Sequence, residues 1–320
     1  FEQDDPSHLH FSSSMYVVAE FKQSNGIGGT NATRYRYQGA VYNTQGRGFR
    51  GFRRIIEDNL ATDIRTETDF EQIFPFSSLV EEQRQYERGQ SQPFSVVRND
   101  WRDNPEHNIA GLYSVYNYQS IATRYDINDL NSVLTTTTET TNEIDEYGNA
   151  GRQTMTVVDA YGTYTTATSA DYDGSNAWPN KMTSSTVTKS IIHSVLNPAK
   201  HADTTTSKTI TTRIDRWDND LRQPEVVTKA GGSSALNASS CQAASLNGCQ
   251  VVTTAYNIYG LPTSVTITGA VDNNGSISQQ SRVTSTTYTK DGSSAATDGY
   301  FPYQITSHNG AISLTQTVET

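Results

Sequence analysis

The chain has 320 residues, 34 Asp and Glu against 24 Lys and Arg, a net charge of -10 and two cysteines. That length suffices for a sizeable buried core in one large or two ordinary domains, while the acidic balance repels phosphate backbones and excludes nucleic acid as a natural partner. With 34% hydrophobic and 18% charged residues, but 18 Tyr, 10 Phe and 3 Trp, aromatic rings must carry much of the packing, and polar uncharged residues must cover an all-β surface.

Residues 1–14 read as a lead-in, and the start at Phe1 without Met suggests a processed product or a fragment. Met15–Phe21 is predicted as a strand, Asn25-Gly26-Ile27-Gly28-Gly29 as its turn, and residues 32–42 as the return strand, with Tyr35 and Tyr37 on one face. Tyr42-Asn43-Thr44-Gln45-Gly46 then reads as a strand end entering a turn. Beyond Arg47, the glycines Gly48 and Gly51 alternate with the rings Phe49 and Phe52, a pattern that marks a bulge or a close backbone approach. The strand resumes at Arg53–Ile56, another is expected over Asp63–Ile73, and Pro75, which cannot donate to a ladder, marks an edge or corner.

Four motifs occur in order: Ser24-Asn25-Gly26-Ile27-Gly28-Gly29-Thr30, Tyr35-x-Tyr37-x-Gly39-Ala40, Gln45-Gly46-Arg47-Gly48-Phe49-x-Gly51-Phe52 and Phe74-Pro75-Phe76. Together they resemble the segment leading into the repeats of Rhs/YD-repeat proteins, above all Tc-toxin B subunits and related bacterial virulence proteins. The resemblance covers roughly residues 15–105. It implies a secreted or surface-displayed parent whose sheets coil into a hollow shell around a toxic C-terminal segment.

Leu79–Arg88 has the composition of a helix, yet Val80, Glu82, Arg84 and Tyr86 share a period-2 face. The resemblance implies a long hairpin here, returning over Phe94–Trp101, so a strand is expected. From Tyr113 onward a weak repeat recurs: an aromatic residue, Asp or Asn, two residues, then Gly. Tyr256-Asn257-Ile258-Tyr259-Gly260 is the clearest copy, Tyr42 to Gly46 fits, and Ile144-Asp145-Glu146-Tyr147-Gly148 is degenerate. In YD-repeat proteins this unit joins two strands by a tight turn, and the irregular spacing here points to elongated hairpins. The tracts Thr135–Thr141 and 204–212 are strand-competent by β-branching. With Lys sparse, they are expected to form neutral exposed edges that drive strand-mediated self-association, an O-linked stalk being the alternative.

Cys241 and Cys249 lie in a Ser/Ala/Gly-rich loop with no accompanying His or second Cys pair. A local disulfide suits them better than a metal site, and two free thiols are the alternative. No G-x-S-x-G, H-E-x-x-H or P-loop pattern occurs. His8 and His10 at the terminus read as incidental, and Asp215–Asp220 and Asp272–Gly275 read as turns, since neither supplies a full calcium loop. Arg47, Arg50, Arg53 and Arg54 form the one basic cluster, expected to make cation–π contacts and ion pairs within the sheet.

The sequence therefore predicts an all-β protein of long antiparallel strands in two regions, 1–112 and 113–320. No catalytic residue, cofactor or metal ligand is assigned, and no membrane-spanning segment is expected. Tyr42, Gly46, Arg47, Gly48, Phe49, Gly51, Phe52, Tyr256 and Gly260 are assigned structural roles, and Cys241 and Cys249 the disulfide. The expected partners are further copies of the chain, as an oligomer or polymer, or other parts of a parent Rhs protein. The function expected is structural and extracellular, with an adhesion or carbohydrate-binding module displaying Thr-rich strands as the alternative.

Overall fold

Alternating side chains and Asn/Asp-Gly turns build antiparallel hairpins throughout. The computed structural model describes residues 7–107, 111–174, 178–194, 205–231, 238, 241, 249–273, 276–288, 302, 304–308 and 313–317. Nineteen strands occur among them, so the all-β expectation holds. The chain divides into two compact units, residues 1–167 with 190–206, and residues 168–189 with 207–320.

In the first unit, β1 (His8–His10) and β2 (Glu20–Ser24) both pair with β3 (Thr30–Asn43). The ladder continues in sequence order through β4 (Gly48–Asn59), β5 (Ile64–Phe70), β6 (Val80–Glu87) and β7 (Ser95–Asp103). It then runs through β8 (Val115–Asp126) and β9 (Asp129–Ile144) to β10 (Ala150–Asp159). β11 (Gly162–Tyr172) and β12 (Met182–His193) contribute residues to both units, as does β13 (Thr205–Asp218). In the second unit, β13 pairs with β14 (Gln223–Gly231), which pairs with β15 (Cys249–Tyr256). β16 (Pro262–Asn273), β17 (Ser276–Thr287), β18 (Gln304–His308) and β19 (Ser313–Thr317) follow in order.

The weak sequence repeat is a single kind of turn. At Asn257, the side-chain Oδ1 accepts from the N–H groups of Tyr259 and Leu261, both at 3.0 Å, and the Asn257 N–H reaches the Leu261 carbonyl at 2.9 Å. Asp145 does the same with Tyr147 and Asn149 at 2.9 and 2.8 Å, and Asn25 with Ile27 and Gly29 at 3.1 and 2.8 Å. Asn43 accepts from Gln45 and Arg47 at 3.0 and 3.4 Å. The fourth position is Gly28, Gly46, Gly148 or Gly260, each with φ between 77° and 90°, a region that only glycine enters without cost.

Two expectations require adjustment, and one drawn against helical propensity holds. Met15–Phe21 is not a strand: β2 begins at Glu20. Phe11 N–H bonds the Ala40 carbonyl and Tyr35 N–H bonds the Ala19 carbonyl, so the steps from 11 to 19 face the shorter stretch from 35 to 40. The surplus chain must bow out, and the Tyr37 hydroxyl ties it back by donating to the Val18 carbonyl at 3.1 Å. Leu79–Arg88 is a strand, because Glu82, Arg84 and their neighbours find cross-strand partners that outweigh helical propensity.

The threonine tracts are not edges. Thr135–Thr140 pairs with β8 on one side, and Thr135–Thr141 with β10 on the other. In the second tract, Thr211 and Thr212 pair with β14, while the hydroxyls of Thr209 and Thr211 meet those of Thr188 and Thr186 on β12 at 2.9 and 3.2 Å. Threonine suits an interior strand with half-buried faces as well as it suits an edge, and hydroxyl ladders satisfy its oxygen there. The unpaired edges invoked for self-association are therefore not at these tracts.

Among the described residues, buried apolar side chains are few. Val41, Ile56, Tyr86 and Val96 are buried in the first unit; in the second, Val226, Ala230, Val251, Cys241 and Cys249 cluster, with Ala238 packed against them. Cys241 and Cys249 are joined by a disulfide with 5.7 Å between Cα atoms. Replacing both by Ala is expected to cost about 2–3 kcal/mol, since a short loop then regains its freedom in the unfolded chain. Equilibrium denaturation measures this, and an unchanged midpoint would show that the crosslink is dispensable.

Candidate functional site

The first unit concentrates its unusual chemistry where β3 leaves its regular pairing with β4. Ala40 opposes Phe52 and Tyr42 opposes Phe49, so Arg50 and Gly51 together face the single residue Val41. This is a β-bulge, which bends a strand and re-aims its side chains. The loop after β5 clamps it: Gln72, itself buried, donates from Nε2 to the carbonyls of Gly39 at 2.7 Å and Gly51 at 3.3 Å. Gly39, at φ +65°, has its backbone against β4, where an added Cβ would lie 2.6 Å from Arg53 Cβ. Gly51 is also at positive φ, but an added Cβ there would meet only Ser78 Oγ, at 3.9 Å. The close approach is thus at Gly39, and the glycine requirement at Gly51 is conformational.

Rings line this region. Phe49 packs against Phe11 at 5.1 Å and edge-on to Phe52 at 5.6 Å, and Phe52 lies 4.8 Å from Tyr37. Beside them, the bowed segment and β3 enclose an open groove of about 580 Å³, lined by Phe11, Met15, Val17, Tyr35, Tyr37 and Phe52 among others. Arg47, emerging from the Asn43 turn, stacks its guanidinium on Phe74 at 3.3 Å, and Phe74 meets Tyr113 edge-on at 4.7 Å.

Next to the rings lies a network of ion pairs. The nearly buried Asp69 carboxylate accepts two hydrogen bonds from Arg54, at 2.5 and 2.8 Å, and a further one from Arg84. Burial alone would raise the Asp69 pKa; the Arg54 hydrogen bond and the charges of Arg54, Arg84 and Arg53 outweigh it and hold the carboxyl below its ordinary value. Arg53 donates to the Phe70 carbonyl at 2.8 Å and pairs with Glu81 at 2.5 Å.

The structure brings Tyr42, Gly46, Arg47, Gly48, Phe49, Gly51 and Phe52 together around the bulge, and places Tyr256 and Gly260 at a turn of the second unit. There the Tyr256 hydroxyl donates to the Pro224 carbonyl at 2.8 Å. Sequence reasoning passed over Gly39, Gln72 and Asp69. Gly39 stood inside a quoted motif, but the signals at Gln72 and Asp69 are purely tertiary. Among the described residues no three His, Cys, Asp or Glu side chains gather as a metal-binding set, and no helix is long and apolar enough to cross a membrane. The arrangement offers packing and charge, with no nucleophile–base pair built into it.

Residues 3–74, which contain the bulge, match a family model described as the insecticide toxin TcdB middle/N-terminal region. Three solved structures resemble the fold: the crystal structures of TcdB2-TccC3-Cdc42, TcdB2-TccC3-TEV and TcdB2-TccC3. Each shares 9% sequence identity at a TM-score of 0.52, over 88% of this chain and 21% of the other. The chain thus spans about a fifth of the length of the proteins it resembles. No curated protein sequence matches it. Both comparisons lead to proteins with TcdB in their names, the first by sequence over the bulge region and the second by fold alone.

Proposed function

We propose that the chain is a non-catalytic β-sheet segment of the shell of a secreted, TcdB-like toxin component, working as a wall rather than as a catalyst. The observation that carries this reading is the coincidence of the family match on residues 3–74 with a fold likeness over 88% of the chain. The sparse burial supports it: a sheet with so few buried apolar side chains among its described residues gains from neighbours that cover it. So does the exposure of Met15, Val17, Val18 and Phe21, beside a β2 that is exposed at all five residues.

The partners are then other parts of a toxin assembly, or further copies of the chain meeting through this exposed segment. The carbohydrate-binding alternative would rest on the faces of the threonine strands, which stay half-exposed over Thr135–Thr138 between their paired neighbours. Sedimentation velocity over a hundredfold concentration range, with negative-stain imaging, tests the proposal. Concentration-dependent association into curved or closed particles is expected. A single compact monomer at every concentration, together with turnover on a panel of ester and glycoside substrates, would reverse it.

A further inference from the structure

Among the described residues β2 pairs with β3 alone, so its other side is a sheet edge. The Ala19 carbonyl accepts from the Tyr35 N–H, and the Asn25 N–H donates to the Gly29 carbonyl. Odd-numbered residues between them therefore turn their backbone groups toward β3, and the N–H and C=O groups of Glu20 and Lys22 point outward. The side chains of those two share one face, where Glu20 holds Lys22 at 2.8 Å and Arg34 at 3.1 Å. Phe21, 53% exposed, stands on the other face with Thr33, Tyr35 and Tyr37. The bow before β2 is drawn onto that face: Met15 and Val17 line the groove with Tyr35 and Tyr37, and the Tyr37 hydroxyl holds the Val18 carbonyl. The outward edge of β2 is thus left open.

We propose that two copies of the chain pair through this edge, β2 against β2, antiparallel and centred on Phe21. The pairing rests on the reading that copies meet through the exposed segment, and it adds the strand and the register. An antiparallel partner must bring outward-facing residues opposite one another. Centred on Phe21, Glu20 of each copy faces the partner's Lys22, and each such pair exchanges both backbone hydrogen bonds. The two Phe21 rings then meet as a non-hydrogen-bonded pair, the kind whose side chains stand closest. Other centres within β2 fail on charge. Centred on Glu20 or Lys22, like charges stand opposite; centred on Gln23 or Ser24, Glu20 runs past the end of the partner's strand. Lys22 guards the edge against indiscriminate strand addition, and this register is the one that gives it an acid. The same patch serves both copies, so the contact closes at a dimer, and its shortness makes that dimer weak and reversible.

Cys241 and Cys249 are joined to each other, so an introduced cysteine supplies a free thiol of known position. In the whole chain, Phe21→Cys under mild oxidation is expected to give a covalent dimer. A non-hydrogen-bonded antiparallel pair sets its Cα atoms about 4.5 Å apart, within disulfide reach. Gln23→Cys, on the same strand and face, is expected to stay monomeric, because in this register it faces the partner's Ala19. Sedimentation velocity gives a second readout. Lys22→Glu places a carboxylate opposite the partner's Glu20 and should weaken the dimer roughly tenfold or more, while Glu20→Lys/Lys22→Glu should restore it. All three positions are exposed, so the variants should keep the parent's Tm. Equal crosslinking in both cysteine variants, none in Phe21→Cys, or an unchanged dimer in Lys22→Glu would overturn the pairing. Larger particles that form without the Phe21→Cys crosslink would overturn it alone and leave the shell reading standing. A strand of a different polypeptide seated on β2 would likewise leave Phe21→Cys uncrosslinked.

Discussion

Gly39→Ala is expected to lower stability by about 3 kcal/mol, a large loss for so small a change. Two independent costs add. At φ +65° any Cβ strains the backbone, by about 1–2 kcal/mol. The same Cβ would sit 2.6 Å from Arg53 Cβ, an atom fixed by its own backbone, and the overpacking adds about 1–3 kcal/mol. Arg53 cannot simply swing away, because its guanidinium is tied to the Phe70 carbonyl and to Glu81. Gly46→Ala separates the two terms: Gly46 also has positive φ, at 90°, but an added Cβ there meets nothing within 4 Å. Urea denaturation of both variants should place Gly39→Ala well below Gly46→Ala. Equal midpoints would mean that the strands part at Gly39 without cost.

Asp69→Ala should cost about 3–5 kcal/mol, the usual consequence of leaving buried partners unpaired. The lower end is expected, because Arg54 and Arg84 retain 31% and 22% side-chain exposure and keep Glu67 and Glu82 nearby. Removing one partner of the exposed pair Arg102–Asp100, each about half exposed, should cost under about 1 kcal/mol. The pH dependence has a definite sign. The folded Asp69 carboxyl lies below its ordinary value, so its contribution is fully present above the unfolded carboxylate pKa of about 3.9 and is lost as pH falls through the folded value. Acid titration of Tm should therefore fall more gently in Asp69→Ala than in the parent. Parallel curves would show that another carboxylate sets the acid limb.

These two residues also mark how far the sequence could be read. The alternation at Tyr35 and Tyr37 and the Asn-x-x-Gly turns at Asn43 and Asn257 were legible because each is a local device, complete within a few residues. The glycine–aromatic pattern at Gly48–Phe52 rightly signalled a bulge. The partners of that bulge were not legible: Gln72 reaches it from a loop more than twenty residues away, and the Gly39 contact depends on which residue of β4 lies opposite. The threonine tracts failed for the same reason. A β-branched run looks alike on an interior strand and on an edge, and only the sheet order decides. Nor could a run of four arginines reveal that Arg53 and Arg54 find acids while Arg47 and Arg50 do not.

The turns carry a consequence for how such a chain changes over generations. Each is closed by an acceptor and donors lying within five residues of one another, as from Asn257 to Leu261, and asks nothing of the strands beyond it. A whole hairpin can therefore be duplicated or excised without disturbing the closure of its neighbours, and a strand can grow at its far end while its turn stays put. Two strands are the quantum of such a change, since an odd number would reverse the direction of everything downstream. Sheet length becomes a quantity that recombination can adjust in even steps, while the bulge, whose clamp comes from a distant loop, must be inherited as one block.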